Sequence, residues 1–168
     1  KTLGAWRSQV GYVPQHIFLT DDTIAHNIAF GAMEATREQV TEAADEADLL
    51  AQVEGFPEGF ETRVGERGIT LSGGQKARVA LARVLASAPR ALLLDEPFSK
   101  LDMQLRGQIR DLVFDKAKRS RLPVILVTHD MGVIAETADR VAVMYSGRLV
   151  EIGPVEQVVK HPRHPYTK

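Results

Sequence analysis

Ala91-Leu92-Leu93-Leu94-Asp95-Glu96-Pro97 is the stretch that decides the fold. Four apolar residues in a row, closed by two carboxylates and a proline, read as a buried strand that delivers charge at its C-terminal end. A solvated acidic turn is the plain alternative, but ending an apolar strand with two charges is costly unless they have a task. In open α/β sheets that edge is where ligands bind. Mg²⁺ takes hard oxygen ligands and keeps several waters, so one carboxylate suffices to hold it. The neighbouring carboxylate leaves the strand in another direction and is available to polarise an attacking water.

Downstream, the spacing predicts a long helix over 103–119, with Ile109, Leu112, Val113 and Ala117 on one face. A second continuous apolar run, Val124 to Thr128, ends at His129. That histidine therefore leaves a like strand at the same sheet edge as Asp95 and Glu96, where a phosphate-sensing role outweighs a simple turn residue. A short helix over 131–138 follows. Val141 to Tyr145 and Leu149 to Ile152 flank Ser146-Gly147, a hairpin signal. Upstream, Gln9 to Val13 alternates and closes at Pro14, which reads as a strand ending beside Gln15. A glutamine amide there donates to a water or ligates a metal through oxygen.

Between these strands lies a block of helices. Thr23 to Phe30 and Arg37 to Val53 have apolar residues at helical spacing, and Thr36 with Gln39 forms a capping-box pattern. Gly55, Pro57 and Gly59 mark a loop. Leu71-Ser72-Gly73-Gly74-Gln75 opens the next helix, expected over 72–87 and stopped by Pro89. Ser72 and Gln75 have capping-box spacing, a helix N-terminus favours anions, and two glycines admit a ligand close to the backbone. Continuous apolar runs alternating with helices predict an α/β fold with a mostly parallel sheet covered on both faces, and the helical block reads as an insertion.

The order of these elements resembles the ATP-binding domains of ABC transporters along essentially the whole chain: Gln15, then Leu71 to Gln75, Leu92 to Glu96, Ser99-Lys100-Leu101-Asp102, and His129. The resemblance implies a P-loop NTPase (RecA-like) core over 1–15 and 88–168, with a helical subdomain over 16–87 that bears the signature helix. It also implies roles. Gln15 is the Q-loop glutamine, touching metal and water. Ser72, Gly73, Gly74 and Gln75 form the signature that caps ATP bound by a second subunit. Asp95 holds Mg²⁺, Glu96 is the general base, Asp102 lies in the D-loop at the dimer interface, and His129 is the switch histidine. The expected partners are transmembrane subunits and a second ABC ATPase domain, at the cytoplasmic face of a membrane, with no nucleic acid.

The chain departs from the family pattern in three respects. The 168 residues contain no G-x-x-x-x-G-K-[ST], the Walker A loop that cradles phosphates, and only fourteen residues precede Gln15. The chain begins at Lys1 rather than Met, and both observations lead us to expect an N-terminally truncated domain. Lys100 stands where the D-loop usually has a small residue. Subfamily signals also diverge. Thr23 to Gly31 and Val64-Gly65-Glu66-Arg67-Gly68 resemble exporters, whereas Gly153-Pro154-Val155-Glu156 and His161 to Thr167 resemble peptide importers.

Bulk properties agree with one domain that has a core of its own. Hydrophobic content is 44% and net charge is −1, so no charge excess points to nucleic acid or anionic lipid. The chain has no cysteine, which excludes disulfides and thiolate metal sites. No apolar run is long enough to span a bilayer. His16 and His26 read as surface residues. His161 and His164 are weak metal candidates, and Lys116, Lys118, Arg119 and Arg121 read as a solvated helix end matching the helix dipole.

Overall fold

The computed structural model describes every residue except Lys1, Thr2, Gly31, Met33, Arg67, Gly68 and Lys100. The exporter-like positions Gly31, Arg67 and Gly68, and the unusual Lys100, therefore lie outside the described residues. The chain divides into two compact units, 1–127 and 128–168.

In the first unit, helix α1 (Leu3–Arg7) leads into strand β1 (Val10–Val13). Strand β2 (Asp22–Thr23) runs into helix α2 (Ile24–Ala29), capped by the Thr23 hydroxyl, which accepts from the His26 amide. Helix α3 (Arg37–Glu46) carries the expected reciprocal capping box between Thr36 and Gln39. The expected helix over 37–53 is not continuous: α3 stops, and α4 (Leu50–Glu54) starts afresh. Asp48 takes φ +52°, Ala47 N–H donates to Ala43 C=O, and Leu49 N–H donates to Ala44 C=O. This is a left-handed helix stop with Asp in the place glycine usually fills. Helical periodicity persists across the break because Leu49 and Val53 are both buried in the same core.

A 3₁₀ turn (Gly59–Glu61) precedes strand β3 (Arg63–Val64), which pairs antiparallel with β2, a two-residue ladder that the sequence pattern did not announce. Helix α5 (Gly73–Ala86) packs against α2 and α3 and reaches β1. Strand β4 (Ala91–Asp95), helix α6 (Met103–Arg119) and strand β5 (Val124–Val127) complete the unit. The sheet is parallel in the order β1-β4-β5.

Side chains alternate across that sheet. Val13, Leu92 and Leu94 point to one face and are buried. Val13 and Leu94 meet Ala77 and Leu81 of α5 and Ile109 and Val113 of α6 around a narrow void. Each fully buried Leu there contributes about 1.5–3 kcal/mol. Gly11 lies on the same face: a Cβ at this position would overlap Val84 Cγ1, so glycine lets β1 and α5 approach. The opposite face carries Tyr12, Ile125 and Val127, all about half exposed. Cover on both faces, expected from the apolar runs, is thus realised on one face among the described residues. Lys116 also differs from expectation: it is half-buried and ion-paired with Glu46 of α3, so this lysine ties α6 to α3 rather than ending a solvated run.

In the second unit, helix α7 (Met131–Thr137) is capped by Asp130, which accepts from the Gly132 and Val133 amides. Strands β6 (Arg140–Tyr145) and β7 (Arg148–Pro154) form the expected hairpin. Ser146 (φ +49°) and Gly147 (φ +74°) make the tight turn, with the positive angles that match hairpin twist. Helix α8 (Val155–Lys160) packs on the hairpin, and the proline-rich tail follows.

Candidate nucleotide site

Parallel pairing brings Gln15, Asp95 and Glu96 to one sheet edge. Val13 of β1 is level with Leu94 of β4, so Gln15 and Glu96 each stand two residues beyond paired positions. Gln15 is exposed, and Asp95 and Glu96 are half-buried. Asp95 is the last paired residue of β4, level with Val127 of β5. Its Oδ2 accepts a 3.1 Å hydrogen bond from the Tyr12 hydroxyl. Partial burial of Tyr12, together with that bond and the carboxylate charge, raises the phenol above its ordinary pKa and keeps it protonated as a donor.

Glu96 breaks from the strand at φ +46°, a left-handed conformation that an L-residue adopts at a cost of about 1–3 kcal/mol. The turn is held from both sides. Its N–H donates to Val127 C=O, and its C=O accepts from the N–H and hydroxyl of Ser99. The backbone therefore turns sharply between the two adjacent carboxylates. Such outliers occur where a side chain is aimed for function.

The second cluster is the start of α5. The Ser72 hydroxyl accepts from the Gln75 amide, and the Gln75 side chain accepts from the Ser72 amide. The two glycines have different reasons. Gly74 is buried, and a Cβ there would stand 2.6 Å from Leu105 Cδ2 of α6, so its bareness serves helix packing. Gly73 is exposed and meets nothing closer than Leu101 at ordinary contact distance. Ser72 and Gly73 are the exposed members of the cluster. Asp102 caps α6 by accepting from the Leu105 amide at 3.0 Å, so a residue expected at a dimer interface also has a local duty.

His129 stands two residues past the end of β5 and belongs to the second unit, where it is exposed. His26 is exposed and lies 3.8 Å from Asp22. His164 packs its ring on Tyr145, and its Nδ1 accepts from the Tyr166 amide, a structural use for a weak metal candidate. The pattern reading overlooked Tyr12, whose only signal was strand alternation. It also overlooked the pair Asn27 and Arg83, which no local motif marks.

The donor chemistry at the sheet edge fits a hard divalent ion shared with phosphate oxygens. One strand-end carboxylate is the usual protein share of a nucleotide-bound Mg²⁺. Among the described residues no group of three or more His, Cys, Asp or Glu is arranged to hold an ion by itself.

A parallel sheet with paired carboxylates at its carboxyl edge and a capped, glycine-opened helix define a nucleotide-handling α/β domain. Residues 1–99 match the family described as ABC transporter. Over 155 residues the chain is 43% identical to a putative multidrug export ATP-binding/permease protein of Bacillus subtilis, spanning 92% of this chain and 26% of that one. It is 41% identical over 167 residues to a methionine import ATP-binding protein of Xanthomonas campestris, spanning 99% of this chain and 48% of that one. A bacterial Atm1-family ABC exporter solved with ATP bound superposes with TM-score 0.79 at 38% identity, covering 92% of this chain and 26% of that chain. The chain belongs to the ABC transporter family of ATP-binding domains. It spans between about a quarter and a half of the length of these relatives. No described helix is long and apolar enough to cross a membrane.

Proposed function

We propose that the chain is the ATP-handling part of an ABC transporter, serving ATP hydrolysis that drives a solute across a membrane. The observation that carries this reading is the placement of Asp95 and the strained Glu96 at the carboxyl end of the central strand, beside Gln15. In this reading residues 1–15 and 88–168 form the catalytic core and residues 16–87 the helical subdomain.

Phosphoryl transfer depends on positioning and charge neutralisation rather than on covalent chemistry. ATP brings the phosphates, and Mg²⁺ neutralises them. Asp95 supplies the carboxylate ligand, steadied by Tyr12. Glu96 accepts the proton of the attacking water, and its left-handed turn aims it away from Asp95. Gln15 orients that water and contacts the metal, and His129 senses the terminal phosphate. Ser72, Gly73, Gly74 and Gln75 cap ATP held by the opposing subunit, through the anion-favouring helix N-terminus and close backbone approach. Asp102 lies at that dimer contact. The partners are transmembrane subunits and a second ABC ATPase domain, at the cytoplasmic face of a membrane. Exporter and importer relatives match almost equally well, so the reading stops at the class of motor.

A second reading is favoured by the absence of G-x-x-x-x-G-K-[ST] from all 168 residues. These 168 residues hold a base and a metal carboxylate without that phosphate cradle, and taken by themselves they would supply only a signature half-site to a partner. Titration of the free chain with a fluorescent nucleotide and Mg²⁺ tests this. No saturable signal is expected. Saturation at micromolar concentration, about −8 kcal/mol of binding, contradicts it.

A further inference from the structure

Asn27 of α2 is completely buried, yet its side-chain amide is fully engaged. Oδ1 accepts from the Thr20 amide (2.9 Å), the Thr20 hydroxyl (3.1 Å) and Arg83 Nη2 (3.1 Å). Nδ2 donates to the carbonyls of Thr20 (3.1 Å) and Thr23 (3.0 Å). Arg83, eleven residues after Ser72 on α5, spreads its guanidinium over the same point. Nε donates to Asn27 C=O at 2.7 Å, and Nη1 donates to Phe18 C=O at 3.0 Å. The guanidinium also lies 5.6 Å from the centroid of the Phe30 ring. Its acceptors are all neutral carbonyl oxygens, so this half-buried cation is solvated by one loop and one helix. Burial pulls its pKa below the ordinary arginine value.

The loop that leaves Gln15 has little other polar support. Among the described residues, the only backbone–backbone hydrogen bond for Phe18 to Thr20 is from the Asp22 amide to Thr20 C=O. The remaining hydrogen bonds run to Arg83 or Asn27. Ile17 tucks into the apolar layer under α5, whereas the Phe18 ring is 74% exposed at the loop tip. An unsupported exposed aromatic would sample many positions, whereas this one has its carbonyl fixed.

We propose that Arg83 and Asn27 are positioning residues that register the Gln15–Thr20 loop to the signature helix. The Q-loop segment and the Ser72 end of α5 are then set by one joint. The inference deepens the proposed function, because it assigns Gln15 and Ser72 to one mechanically linked piece. The linkage itself is a property of the folded chain without nucleotide or partner. The fork is essential to it. A guanidinium reaches acceptors in three directions at once, whereas an ammonium on the same stem is a point donor.

The test is backbone amide exchange on the whole chain, comparing wild type with Arg83→Met and Arg83→Lys. The Thr20 amide and the segment over 17–22 are followed, with α5, β1 and β4 as internal controls. In both variants exchange over 17–22 should rise about tenfold or more, as a locally opened segment does, while β1, β4 and the first turns of α5 keep wild-type protection. Unchanged loop exchange overturns the proposal. Equal acceleration across α5 and the sheet also overturns it, because Arg83 would then be ordinary core support. Restoration of loop protection by Arg83→Lys overturns the role of the fork. If Arg83→Met does not fold, the lysine variant, which keeps charge and stem, decides alone. The nucleotide titration above is independent of these outcomes, so failure of the joint is distinguishable from failure of the functional reading.

Discussion

On one face of the three-stranded sheet Val13, Leu92 and Leu94 are almost completely buried beneath α5 and α6. On the other, Tyr12 and Val127 are about half exposed, and Ile125 is 62% exposed. The residue types are alike, and the strands are the same. The hairpin of the second unit repeats the contrast. Val141 and Gly153 are buried on the face that α8 covers, whereas Ala142, Met144 and Ile152 are exposed on the other. An apolar run thus records the faces a strand is suited to bury, while the cover present determines which of them contribute to stability. Contiguous apolar faces left bare favour association.

The largest expected effect separates the two faces directly. Leu94→Ala should cost about 2–5 kcal/mol in denaturant unfolding, as large-to-small changes in a filled core do. Ile125→Ala should stay within about 0.5 kcal/mol, as exposed substitutions do. Equal costs would erase the distinction. Ile125→Lys should further reduce self-association of the chain in sedimentation. A wild type that is already a monodisperse monomer would contradict the association surface.

A smaller effect sharpens the description of the covered face. Gly11→Ala places a methyl group against Val84 Cγ1, with Leu92 and Pro89 close by. It should cost about 1–3 kcal/mol by overpacking. Adding Val84→Ala should recover part of that loss, because the methyl then has room. No recovery would mean that the close approach of β1 and α5 is not what glycine serves.

The smallest effect is local to the tail. The Glu151 carboxylate accepts from the amides of Arg163 (3.0 Å) and His164 (3.2 Å). The Arg163 amide is the main cause of a pKa held below the ordinary glutamate value, with smaller help from Thr167, His164 and the Arg163 charge. A carboxylate with a depressed folded pKa stabilises the clasp above its unfolded pKa, and that support is lost as pH falls through the folded value. Proteolysis of the tail, or exchange of the Arg163 amide, should therefore accelerate on acidification below the glutamate range. Glu151→Gln should remove that pH dependence. An unchanged profile in the variant would assign the acid response elsewhere.

Much of the local structure that carries the candidate site was legible because it sits where local rules are strict. Ser72 with Gln75 and Thr36 with Gln39 are three-residue capping patterns, and both boxes form. The 91–95 and 124–127 strands and the 103–119 helix fall where apolar runs and helical spacing put them. What was not legible depends on contacts far apart in sequence. Tyr12 meets Asp95 across 83 positions, and Arg83 meets Asn27 across 56. The break at Asp48 was hidden because Leu49 and Val53 keep the apolar rhythm through it. Lys116 looked like part of a basic helix end because its partner, Glu46, lies on another helix. The packing duty of Gly74 was hidden because Leu105, which requires its bareness, is thirty-one residues away.

The two proposed readings part on whether this chain holds nucleotide at its own Asp95–Glu96 edge or only lends its signature face to a partner's site. The most direct measurement mixes it with a compatible ABC ATP-binding subunit that carries its own P-loop, and follows ATP hydrolysis. In the half-site reading the base comes from the subunit that holds the phosphates, and this chain would supply Ser72, Gly73 and Gly74 across the interface. In the half-site reading, mixing raises ATPase activity, Ser72→Arg in this chain abolishes the gain, and Glu96→Gln leaves it nearly unchanged. The opposite pattern, with Glu96→Gln damaging and Ser72→Arg tolerated, supports nucleotide held at the Asp95–Glu96 edge of this chain and contradicts the half-site reading.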